Sequence, residues 1–91
     1  MRVIEGIFVA LRITKTANGH HTVLKVDGHL HSDGVGELKK ECTAADGPVV
    51  LELGNLQSAD SQGVEAIKEL TSQGAELRGA SPYIELLLES T

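Results

Sequence analysis

The sequence predicts an α/β domain: a mixed β-sheet of about four strands with helices packed on one face, in the order β-β-α-β-α-β-α. Three observations predict it. Apolar residues recur at every second position early in the chain and at helical spacing later, glycine- and proline-containing pairs fall between these segments, and 91 residues hold one compact core rather than two.

From Ile7 to Thr16, Val9, Leu11 and Ile13 alternate with Ala10, Arg12 and Thr14, the two-residue period of a strand with one buried face. Asn18-Gly19 tolerates the positive φ angles of a tight hairpin turn, and Thr22 to Asp27 resumes the alternation with Leu24 and Val26 inward. A loop is expected after Gly28, with Ser32 or Asp33 capping a first helix by accepting from its free amides. Val35, Leu38, Cys42 and Ala45 share one face of that helix, and Asp46-Gly47-Pro48 ends it. Val49 to Leu53 is the most β-favouring run, and its nearly unbroken apolar character predicts a central strand buried on both faces. Gly54 to Ala59 is expected as a loop. A second helix runs from Asp60 to about Gln73, with Val64, Ile67, Leu70 and Thr71 inward and Gly74 as its stop. Ala75 to Arg78 forms a short strand. Ser81-Pro82 then supplies an N-cap and a first helical proline for a last helix striped with Ile84, Leu87 and Leu88. Right-handed crossovers place the consecutive helices on one face of the sheet. No internal repeat, low-complexity tract or linker divides residues 1–91, which read as a single domain.

Composition removes several functions. Phe8 and Tyr83 are the only aromatic residues, which leaves no stacking platform for single-stranded nucleic acid. The formal charge is −5 and the eight basic residues are scattered, so phosphate backbones and anionic lipid surfaces are poor partners. Cys42 is the sole cysteine, which excludes an intrachain disulfide and a multi-cysteine zinc site and fits a reducing compartment. An acid and a glycine interrupt the N-terminus before a signal core could form, and no apolar run approaches membrane-spanning length. The expectation is a cytoplasmic protein with no direct membrane insertion. No phosphate-cradling glycine-lysine run, dinucleotide fingerprint or zinc-protease helix is present, so the chain reads as a non-enzyme without a cofactor.

The informative stretch is Val49-Val50-Leu51-Glu52-Leu53-Gly54-Asn55-Leu56-Gln57-Ser58-Ala59-Asp60-Ser61-Gln62-Gly63-Val64, a buried strand leading to a helix that begins at Asp-Ser-x-Gly. It resembles the strongest motif of the STAS family (sulfate transporter and anti-sigma factor antagonist). Val26-Asp27-Gly28-His29-Leu30 is similar to that family's strand ending in Gly-x-Leu. Gly74 to Pro82 resembles its fourth strand and the cap of its third helix. The resemblance implies that Ser61 is phosphorylated by an ATP-dependent anti-sigma kinase and that Asp60, Ser61, Gln62, Gly63, His29 and His31 lie at the partner surface. It also implies a serine phosphatase as a second partner. The physics is compatible, because the first turn of a helix presents unpaired N–H groups and a positive dipole end that accommodate phosphate. Without that frame, Asp60 and Ser61 read simply as helix-capping residues, and Gly63 as a packing need.

His29 and His31 fall on the same side of an extended segment, but two histidines make a poor metal site without a third ligand, and His20 and His21 belong to the other end of their strand. Exposed loop histidines are the expectation, with no metal. His31 stands where the family often has an acid. Longer family members carry a further strand and helix, so an open sheet edge is expected here, inviting a second copy or another partner. The leading reading is an anti-sigma factor antagonist-like binding module switched at Ser61. Its alternatives are a STAS accessory subunit of an ABC-type lipid transport complex, whose partner is an ATPase subunit, and a nucleotide-binding regulatory domain.

Overall fold

The computed structural model describes residues 2–8, 11–45 and 47–89, with side chains from residue 11 onward apart from Asn18. Antiparallel strands β1 (Arg2–Phe8), β2 (Leu11–Asn18) and β3 (His21–Leu30) are followed by α1 (Ser32–Ala44), β4 (Val49–Glu52), β5 (Leu56–Ala59), α2 (Ser61–Ser72), β6 (Glu76–Arg78) and α3 (Pro82–Glu89). Five strands lie side by side in the order β1-β2-β3-β4-β6, and β5 joins the sheet by pairing with β3. Both β4 and β6 run parallel to their neighbours, so the sheet is mixed, as the chain order predicts.

The alternation in β2 and β3 converts directly into burial. Leu11, Ile13, Thr22, Leu24 and Val26 are buried, whereas Arg12 and Lys25 between them are exposed. Leu24, Leu30, Leu38, Leu51, Leu53, Ile67 and Ile84 fill the centre of a single cluster to which all three helices contribute. Val50 and Leu51 are 6% and 0% exposed although adjacent, which makes β4 the strand buried on both faces. Cys42 is half-buried against the same cluster, in the inward stripe predicted for α1. Asn18 precedes a turn at Gly19 with φ of 61°, and the Ser81 hydroxyl accepts from the Ile84 amide at 3.2 Å, the cap expected for α3.

Three local expectations change. The strand expected over Ile7–Thr16 is divided: Ile7 and Phe8 end β1, Leu11 begins β2 and pairs antiparallel with Phe8, and Val9 and Ala10 lie outside the described residues. The loop expected at Gly54–Ala59 contains β5, because the far half of β3 offers Gly28, His29 and Leu30 as a parallel partner for Leu56, Ser58 and Ala59. For the same reason β3 does not end at Gly28 but runs to Leu30, and a shift in pairing register falls between Gly28 and His29. Asp46, named as part of the stop of α1, also lies outside the described residues; Ala45 is the C-cap and Gly47 has a φ of 79°.

Candidate functional site

Strand β3 pairs with β4 over its first half and with β5 over its last three residues. Since β3 and β5 are parallel neighbours, they leave the sheet together and their helices start side by side. Functional groups commonly gather at the carboxyl ends of such strands. The exit is fixed by a further backbone bond, the Asp60 amide donating to the Leu30 carbonyl at 3.1 Å.

Asp60 is the N-cap of α2, in extended conformation, and its Oδ1 accepts from the Gly63 amide at 2.8 Å. Its Oδ2 accepts from the Ser32 amide at 3.1 Å. This corrects the expectation that Ser32 or Asp33 caps α1. The N-cap position belongs to His31, whose side chain makes no capping bond, and the acceptor at the start of α1 arrives from Asp60 instead. The Gly63 amide, followed by the Ser32 amide, the His31 ring and the Gln62 amide, holds the Asp60 carboxyl below its ordinary value of 3.8, against an opposing push from desolvation.

Ser61 is the first residue of α2 and is exposed, as is Gln62 beside it. Gly63 is buried, and a Cβ there would fall on the Leu30 carbonyl oxygen. The packing need expected for it is met here: it is glycine because the first turn of α2 seats directly on the end of β3. His31 is exposed beside Asp60. His29 is not in a loop: it lies within β3, half-buried, with its Nδ1 hydrogen-bonded to the Ser58 hydroxyl of β5. The two imidazole centroids are 6.0 Å apart. Among the described residues no group of three or more histidine, cysteine, aspartate or glutamate side chains gathers into a metal site.

Ser58, through its hydroxyl, also belongs to this construction although no local sequence pattern singles it out. Two cavities elsewhere, of about 190 and 170 Å³, are small beside the ~300–1,000 Å³ typical of small-molecule sites, and neither is lined by Ser61. No helix among the described residues is long and apolar enough to cross a membrane.

The sequence matches no protein-family model and no curated protein. Its structure is similar to the STAS domain of an anti-sigma factor antagonist from Rhodobacter sphaeroides, with a TM-score of 0.60, 21% identity, and coverage of 80% of this chain and 94% of that one. It is also similar to the anti-sigma factor antagonist SpoIIAA in its unphosphorylated form, with a TM-score of 0.62, 15% identity, and coverage of 88% and 78%. The chain has the STAS fold. Within that STAS fold, the strand, the Asp-Ser-x-Gly turn and the helix expected from residues 49–64 stand where the sequence placed them, with β5 added between strand and helix. The Gly-x-Leu segment becomes the end of β3 that receives both β5 and α2.

Proposed function

We propose that the chain is a non-enzymatic, cytoplasmic protein-binding module of the anti-sigma factor antagonist type, with Ser61 as its reversible phosphoacceptor. The docking surface in this reading is the shared start of α1 and α2, comprising His31, Ser61 and Gln62, with Asp60 behind them and His29 at its margin. Its partners are a kinase-like anti-sigma factor and an opposing serine phosphatase. The observation that carries the reading is the exposure of Ser61 at the first position of α2, next to a cap whose carboxylate is already engaged. The likeness in fold to two anti-sigma factor antagonists supports it.

A helix start offers amide donors and the positive end of the helix dipole, so a phosphate on Ser61 is tolerated by its own helix. To a docked partner the same group brings about −1.5 to −2 charge and added bulk, so binding weakens without refolding. The test is a pull-down with wild type, Ser61→Ala and Ser61→Asp, followed by incubation of the captured kinase with wild-type protein and ATP. Phosphate is expected on Ser61 alone, with weaker partner binding afterwards. Phosphate mapped elsewhere, or unchanged affinity at full modification, rejects the switch and leaves a constitutive binding module.

A further inference from the structure

The starts of α1 and α2 share one carboxylate although Ser32 and Asp60 are 28 positions apart in sequence. One oxygen of Asp60 serves its own helix through Gly63 and the other serves α1 through Ser32. The side chain at the N-cap of α1 supplies no capping bond, so that helix depends on a residue of the other for this acceptor. The spacing cannot relax easily. The Asp60 amide is bonded to the Leu30 carbonyl, and a Cβ on Gly63 would fall on that same carbonyl oxygen, so the first turn of α2 sits too close to the end of β3 to admit a side chain there.

We propose that Asp60 is a clasp joining the starts of α1 and α2, through which a charge placed on Ser61 is transmitted to α1, so that a partner reads both helix ends as one surface. The proposal rests on the reading of Ser61 as a phosphoacceptor and adds how its state spreads. A phosphate there is a dianion one residue from a carboxylate. It repels that carboxylate, and its oxygens compete for the donors of the first turn of α2. Both effects weaken the hold of Asp60 on Ser32, and α1 has no capping side chain of its own to replace it. Modification of one helix thereby loosens the first turn of the other.

The test uses the ¹⁵N-labelled protein and nuclear magnetic resonance. In wild type, the Ser32 and Gly63 amide signals should titrate in acid with one shared midpoint, below the ordinary carboxylate value of 3.8. In Asp60→Ser, the short hydroxyl still caps its own helix but does not span to Ser32. Ser32 should then exchange its amide proton several-fold faster, with Gly63 little changed. In protein carrying phosphoserine inserted at position 61 during synthesis, the shared midpoint should move up and Ser32 exchange should quicken. Separate midpoints, a Ser32 amide indifferent to Asp60→Ser, or one indifferent to the phosphoserine each overturns the clasp. None of these measurements involves a kinase or a partner. If no kinase modified Ser61, the proposed function would fail and these three results would stand.

Discussion

Where α2 begins, the chain is held by hydrogen bonds from Gly63 and Ser32 to Asp60, and Ser61 and Gln62 face solvent; where it ends, Leu70 is buried at 6% exposure and shares a cavity wall with Cys42, Val49 and Ala75. The two ends treat negative charge oppositely. At the start, amide donors pull the Asp60 carboxyl down toward its ionised form. At the other, desolvation and then the neighbouring Glu41 push the Cys42 thiol up from 9.0 to about 11, against its thiolate. A helix dipole has this polarity, but the local cause differs at each end: donors at one, burial at the other. The lesson is a division of labour. At the start of α2 the side chains of Ser61 and Gln62 are exposed, whereas Leu70 near its end is packed into the core, so a change at Ser61 should cost the fold less than one at Leu70.

Cutting into the apolar region should carry the largest cost. Leu51 is fully buried at the centre of the cluster, and Leu51→Ala should lose ~2–5 kcal/mol, a large share of a small domain's stability. A denaturant titration should show its midpoint far below that of Ser61→Ala. Equal midpoints would mean that the core lies elsewhere.

A sharper version asks whether the polar end is rigid in shape while tolerant in charge. Gly63→Ala drives a Cβ onto the Leu30 carbonyl oxygen, a backbone atom that cannot rotate away, and overpacking of this kind costs ~1–3 kcal/mol. Gly36→Ala, in α1 with open space around it, should instead gain up to ~1 kcal/mol from helix propensity. The signs should be opposite in the same titration. A neutral Gly63→Ala would remove the close seat of α2 on β3 and with it the rigidity on which the shared cap depends.

The elements whose burial follows from a local period were legible in the sequence. Leu11, Ile13, Leu24 and Val26 alternate, and Val64, Ile67 and Leu70 recur at helical spacing; all seven are buried. What was illegible depends on distant partners. β5 is a short, half-polar segment that becomes a strand because the end of β3 has an unpaired side for it. β1 is largely missed: only its Ile7 and Phe8 fall within the strand expected over Ile7–Thr16, and no element is expected over Arg2 to Gly6. At the site, the cap of α2 follows from Asp60 three residues before Gly63, but local rules assign α1 a cap of its own. The true acceptor lies 28 positions away, beyond any short-range pattern. Gly63 was legible as special, and only the position of Leu30 shows that it meets its own sheet.

The smallest expected effect sits beside a larger one in consecutive residues, which makes it the most discriminating. Asp60→Ala removes an N-cap, a change that costs about 0.5–2 kcal/mol, and its loss should depend on pH. The folded-state carboxyl lies below 3.8, so the folded state binds the proton more weakly than the unfolded chain does. Its contribution is therefore fully present above the ordinary carboxylate value and disappears as pH falls through the lowered one. The gap between wild type and Asp60→Ala should narrow in acid accordingly. Ser61→Ala changes an exposed hydroxyl with no buried packing, and should match wild type within ~0.5 kcal/mol across the same range. Parallel denaturant titrations at neutral and acid pH measure both. A Ser61→Ala variant that lost as much stability as Asp60→Ala would place the serine among the groups that hold the fold.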